Sequence, residues 1–466
     1  MTALRTTGRP GLEGYSRAAK IAALGLGFAL FASGCSGGDS GTDSNESAAP
    51  SSSSADAAAA GAVTCPENEG GKGTDPGEKG DPTAVPASTG TTEVPLKIGT
   101  LLPTTGELAF LGPPEIAGTN LAVEEINAAG GVLGKPVEII HRDSGDTQTD
   151  IATQSVTNLL SQGVSAIIGA ASSGVSKTVI GQITGAGVIQ FSPANTSPDF
   201  TTWDDNGLYW RTAPSDVLQG RTLGNYIMSC GAQTVGMIVL NDAYGTGLAS
   251  NIRSSVESAG GQIIEEEMFN EGDSQFSSQV DAVAAAEPDA IVVISFQQAT
   301  SIIPLLTAKG VDPTQLFFVD GNTSDFSEDL DPGTLEGAQG TIPGPFASDN
   351  FKESLLALDP TLKNWSYAGE SYDAVTMTAL AAEAAGSTEG AAIAAELQGV
   401  SAEGEKCFDY AGCVTILRGG GDIDYDGYSG PVTFDENGDP TEAFIGIYQF
   451  DADNKPVPSR SEEGKL

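Results

Sequence analysis

Residues 164–192 read VSAIIGAASSGVSKTVIGQITGAGVIQFS. VSAIIGA (164–170) and GVIQFS (187–192) are short, almost unbroken apolar runs, and a helical stretch, 174–184, lies between them. Continuous apolar strands of this kind belong to parallel sheets covered on both faces, where alternation with polar residues is lost. The same rhythm extends upstream. LKIGTLLP (96–103) and PVEIIHRD (136–143) are strands. Helices are predicted over 116–128, stopped by Gly130 and Gly131, and over 150–162, stopped before Gly163.

A second unit of the same type follows. Helices over 216–229, 245–259, 276–286 and 299–308 alternate with strands at 233–240, 261–270, 289–295 and 315–320. The chain then returns through an alanine-rich helix over 367–385 and another over 390–398. A hairpin is expected over 430–450, turning at Asn437-Gly438-Asp439. The fold class is therefore α/β, with two doubly wound, mostly parallel sheets. In open sheets of this class ligands sit outside the carboxyl ends of the strands, so two facing units form a cleft.

The N-terminus has a different texture. Arg5, Arg9, Arg17 and Lys20 precede the apolar run 21–31, which is too short to span a bilayer and fits an export signal. LFASGC (30–35) resembles the bacterial lipoprotein signal motif, which makes Cys35 the expected lipidation site and first mature residue. Residues 1–34 are then the signal peptide. The lipid would anchor the protein to the outer face of the cell membrane, firmly if several chains are attached. Residues 35–94 are rich in Ser, Gly, Asp, Pro and Ala, and nearly lack large apolar side chains. That composition predicts a flexible tether.

Composition excludes several function classes. The net charge of −41 would repel phosphate backbones, so no nucleic-acid partner is expected. Four cysteines remain besides Cys35, and an even number in an exported chain points to disulfides. Cys407 and Cys413 are spaced for a small stapled loop, leaving Cys65 and Cys230 as the other candidate pair. His141 is the sole histidine, which argues against a zinc site and leaves a Ser-His-Asp triad one possible base. No nucleophile elbow, H-E-x-x-H or phosphate loop occurs, so no enzyme, metal or cofactor is expected. Asp422-Ile-Asp424-Tyr-Asp426-Gly427 begins like a calcium loop, but its twelfth position is Thr433 rather than glutamate.

Seven segments in order resemble the branched-chain amino-acid-binding family of periplasmic binding proteins, the solute receptors of ABC importers. They are LKIGTLLPTTGELAFLG (96–112), AVEEINAAGGVLGKPVEII (122–140), the run 141–176, VIQFSPANTSPDFT (188–201), YWRTAPSDVLQG (209–220), VGMIVLNDAYGTGLA (235–249) and YSGPVTFDENGD (428–439). The resemblance implies the type I fold, with lobes joined by three crossovers. The N-terminal lobe is expected over 96–214 plus about 343–431, and the C-terminal lobe over 215–342 plus about 432–455. It further implies capture of a small zwitterionic solute, a branched-chain or other amino acid, by a monomer that hands it to a permease. A ligand-sensing surface receptor, or a receptor for an amide or short peptide, uses the same fold.

The same resemblance assigns candidate contacts. Ser173 matches the carboxylate-gripping turn. The chemistry is independent of the family, because a helix starting there presents unpartnered N–H groups to an anion, although Ser172 or Ser173 could simply cap that helix. Ala194 matches a position offering its carbonyl to the ligand ammonium, and Thr196 one offering its hydroxyl. Tyr244 matches a tyrosine that closes over the ligand. Phe296 stands near another aromatic contact, where the family usually has tyrosine. Asp320 matches an acidic residue that pairs with the α-amino group, shortened here from glutamate. Phe110 and Leu111, after Gly106, are candidates for the side-chain pocket. Trp203 and Trp210 are expected to pack near a crossover. The family's N-lobe disulfide is absent, since no cysteine lies near Asp146 or Ser172.

Overall fold

The computed structural model describes residues 63–88 and 90–466. The predicted export signal and Cys35 lie outside the described residues. One lobe begins with β1 (Lys97–Leu102), α1 (Gly112–Ala128), β2 (Glu138–Asp143), α2 (Ile151–Ser161), β3 (Ala166–Gly169), α3 (Ser173–Thr184), β4 (Ile189–Ser192) and β5 (Tyr209–Arg211). Its sheet has the order β2-β1-β3-β4-β5, parallel throughout. Every residue of β3 and β4 is buried, so both faces of these strands are covered, even where β4 carries the polar side chains Gln190 and Ser192.

The chain crosses at 212–215 into the second lobe. There it forms α4 (Asp216–Ser229), β6 (Thr234–Leu240), α5 (Ala243–Ser258), β7 (Gln262–Phe269), α6 (Ser277–Ala285), β8 (Ala290–Ile294), α7 (Ala299–Ala308), β9 (Leu316–Phe318) and β10 (Gln339–Pro343). It returns at 344–348 to cover the first lobe with α8 (Asp349–Leu358), α9 (Ala368–Ala385), α10 (Gly390–Leu397), β11 (Glu405–Cys407), α11 (Tyr410–Arg418), β12 (Ile423–Gly427) and β13 (Gly430–Pro431). A third crossing, 432–441, leads to β14 (Glu442–Phe450) and β15 (Pro456–Lys465) at the edge of the second sheet, whose order is β15-β14-β10-β9-β8-β6-β7. Ile98, Ile168 and Phe191 belong to the first lobe's core, and Ile238, Val292 and Phe317 to the second's.

The predicted hairpin over 430–450 is displaced. The Asp435–Asp439 turn carries a single bridge, Phe434 to Pro440, because residues 430–431 pair with β12 instead. The true hairpin is β14 with β15, a strand whose mixed charge and prolines disguise it in the sequence. The calcium-like stretch forms β12, where Lys406 Nζ lies 3.0 Å from Asp424 and 2.8 Å from Asp426, so a lysine already neutralises these acids.

Composition also misleads over residues 63–94. Among its described residues, from Val63 onward, this segment has no helix or strand, yet it lies against both lobes as a strap. Cys65 is joined to Cys230 at the end of α4, and Cys407 to Cys413 in the other lobe. Gly71 N donates to Ser459 O at 2.8 Å, Gly80 N to Asp409 at 3.0 Å, and Lys79 pairs with Glu125 at 2.6 Å. The glycines that read as disorder serve close approach. A Cβ on Gly73 would stand 2.1 Å from the carbonyl oxygen of Phe346, in the 344–348 crossing.

Candidate functional site

The carboxyl ends of β3 and β4 meet those of β6, β8 and β9 across the lobe boundary. Leu111, Ser172, Ser173, Ala194, Tyr244, Phe296 and Asp320 line one cavity of about 20 Å³ there, joined by Tyr367 from the start of α9. Thr196 is not in that lining. Phe110 faces a larger neighbouring chamber instead.

On the first lobe, Ser172 caps α3 by accepting from Val175 N at 3.2 Å. The Ser173 hydroxyl accepts from Ser197 N at 3.3 Å. The hydroxyls therefore brace the turn, while the leading amides of α3 remain at the helix's positive end. Asn195 ties the next loop to this one, with Nδ2 donating to Ala170 O at 3.0 Å and Ala171 O at 2.7 Å. Beneath it, fully buried Arg211 donates to the carbonyls of Asn195 and Ser197 at 3.2 and 2.8 Å. Its charge is met by Asp439 at 2.6 and 2.7 Å. Asp439 comes from the third crossing, so the interlobe connection itself holds the loop that carries Ala194 and Thr196.

On the second lobe, Tyr244 stacks on Phe296 with ring centroids 5.5 Å apart. Asp320 accepts from Tyr244 Oη at 2.7 Å and Gln219 Nε2 at 3.0 Å, and across the cleft from Tyr367 Oη at 2.6 Å. Burial raises its carboxyl pKa, and these three donors oppose the shift. Nearby Asp216 is wholly buried, and among the described residues no well-formed hydrogen bond reaches its carboxylate or the buried Thr196 hydroxyl beside it. Burial first, then the Asp320 charge, pushes Asp216 well above the ordinary range. The site thus has a positive helix end on one side and carboxylates on the other.

Tyr367, Asp216, Gln219 and Arg211 escape a reading of the sequence. Asp216 and Arg211 lie in the YWRTAPSDVLQG motif but look like a helix start and an edge strand. Tyr367 follows the second crossing, so nothing local marks it. Its left-handed φ of 59° is unusual for a bulky residue and is a further sign of a functional position.

Among known proteins, the leucine-, isoleucine-, valine-, threonine- and alanine-binding protein of Pseudomonas aeruginosa is 26% identical over 320 residues, covering 65% of this chain and 82% of the relative. The substrate-binding protein of a chemotactic signal transduction system in Halobacterium salinarum is 23% identical, covering 75% of this chain and 86% of its own. The branched-chain amino acid transporter substrate-binding protein of Streptococcus pneumoniae, solved in complex with isoleucine, superposes with a TM-score of 0.66 at 25% identity, over 80% of this chain and 100% of that one. Residues 95–453 match the family described as periplasmic binding protein. The chain belongs to the periplasmic binding proteins, exported and non-catalytic solute-binding partners of ABC permeases.

Proposed function

We propose that the protein captures a small zwitterionic solute, a branched-chain or other amino acid, between its lobes and delivers it to the permease of an ABC importer. One observation carries this reading: the amides at the start of α3 and the carboxylate of Asp320 face each other across a single cavity, a charge pattern suited to a dipolar guest. Ser173 and the α3 amides take the carboxylate. Ala194 O and Asp320 take the ammonium, backed by Asp216 and by Thr196 behind the cavity wall, while Tyr244 and Phe296 cover the guest. A cavity of about 20 Å³ has room for roughly one water, so the lobes must part to admit the solute and come to rest around it further apart than they stand here. A lipid on Cys35 holds the protein at the outer face of the membrane.

A second reading, a surface receptor for sensing, is favoured by the likeness to the Halobacterium chemotactic protein. Both require the same binding step. Calorimetry of the purified protein against free amino acids tests it. The Asp320→Ala variant should lose about tenfold or more in affinity, since a hydrogen bond to a charged group contributes about 1.5–3 kcal/mol. Unchanged affinity would remove Asp320 from the site.

A further inference from the structure

Beside the small cavity lies a chamber of about 640 Å³, within the range of small-molecule sites. Tyr367 lines both spaces. The chamber walls are aromatic, with Phe110, Phe346, Phe351, Trp365, Tyr428 and Tyr448 among them. Phe351 and Tyr428 are stacked with centroids 3.9 Å apart.

One acidic group lines this aromatic space deep inside. Glu370, one helical turn beyond Tyr367 on α9, is 5% exposed, and its carboxylate receives no hydrogen bond from another residue among the described residues. Its Oε1 lies against the backbone of Gly344 in the second crossing. Close by, Glu115 of α1 is fully buried, with both oxygens unpaired among the described residues. The mouth, by contrast, is balanced. Lys352, Lys363 and Lys455 share it with Asp325, Glu328 and Asp329, and Lys363 pairs with Glu328 at 2.8 Å.

Two buried acids without a base are costly unless something supplies positive charge or hydrogen-bond donors. Burial raises Glu370 to about 8, so its carboxyl ionises at neutral pH when a cation lies beside it, and burial together with the Glu370 charge raises Glu115 well above its usual value. Aromatic faces around a carboxylate are a setting in which a desolvated ammonium or guanidinium is attracted by the rings and by the charge together. A neutral aliphatic side chain would fill such a chamber without satisfying either acid.

We propose that this chamber is the second half of the solute site, and that the solute is a basic amino acid whose distal positive centre sits among the chamber's aromatic rings against Glu370. The proposal rests on the amino-acid reading above, with the α-ammonium and carboxylate held in the small cavity and the side chain passing Tyr367 into the chamber.

Calorimetry on the wild-type protein compares L-lysine with L-norleucine, and L-arginine with L-citrulline. Each pair is close in size and differs chiefly in the distal charge. The basic member should bind about tenfold or more tightly. Glu370→Gln, of the same shape, should remove most of that advantage. Thermal melting of the variant checks that it is folded, and the wild-type ranking stands even if it is not. Norleucine or leucine binding as tightly as lysine would overturn the proposal and leave the amino-acid reading intact, as would Glu370→Gln weakening all solutes alike. If no amino acid binds, both fall.

Discussion

The Tyr367 hydroxyl offers a direct way to weigh lobe closure. It sits on the lobe that carries α9 and donates to Asp320 on the other, at 2.6 Å, and both groups are buried. The bond therefore exists only when the lobes are together. The other two donors to Asp320, Tyr244 and Gln219, belong to its own lobe and survive opening. Tyr367→Phe keeps the ring and its packing but removes the cross-cleft donor, and Asp320 keeps two partners. A hydrogen bond to a carboxylate contributes about 1.5–3 kcal/mol, so the closed-to-open ratio should fall by roughly 10- to 150-fold. Other contacts across the boundary, among them the Thr147–Glu271 hydrogen bond and the Lys363–Glu328 pair at 2.8 Å, are untouched by the substitution and do not replace the lost bond. Small-angle scattering of the solute-free variant should show a larger radius of gyration than the wild type. Solute affinity should fall by about tenfold or more, because closure must now be driven by the solute alone. The melting temperature should change little, since the hydroxyl lies between the two cores. If scattering and affinity both match the wild type, Tyr367 is packing and the closure argument is wrong.

Removing Asp439 by Asp439→Ala leaves the Arg211 guanidinium buried and unpaired. That should cost about 3–5 kcal/mol of stability by chemical denaturation, and a midpoint equal to the wild type would contradict the role given to this pair. Replacing Cys65 and Cys230 together by serine frees one end of the strap. The expected loss is about 2–5 kcal/mol, with faster proteolysis within residues 63–94, and an unaltered digestion pattern would show that the non-covalent contacts suffice. Cys35→Ala should turn a membrane-associated protein into one released by gentle washing of the cells, and continued association would count against a lipid at that position.

What could be read from the sequence follows strand geometry. The family resemblance singled out Ser173, Ala194, Tyr244, Phe296 and Asp320, and because they come after β3, β4, β6, β8 and β9 the apolar strands place them at one end of two sheets. Groups that depend on the return path were hidden. Tyr367 and Glu370 reach the cleft because the second crossing brings α9 back over α1, and no local pattern in WSYAGESYDAV records that meeting. Asp439 looked like a turn residue and is one, with Asp435 accepting from its amide at 3.0 Å, yet that turn also delivers the carboxylate to Arg211.

The strap was misread for a more general reason. Low apolar content sets how much surface a segment can bury by itself, and so whether it would fold alone. It does not say whether a disulfide and a neighbouring surface can hold the segment down. Glycine contributes to both outcomes, raising chain entropy when free and allowing backbone-to-backbone approach when docked, as at Gly73 against Phe346. The feature separating the two cases here was Cys65, a residue with nothing to pair with unless the strap reached the second lobe. In an exported, glycine-rich tail, an internal cysteine is therefore better evidence on docking than the composition around it. In this protein it ties the strap to α4, the helix whose other end carries Asp216.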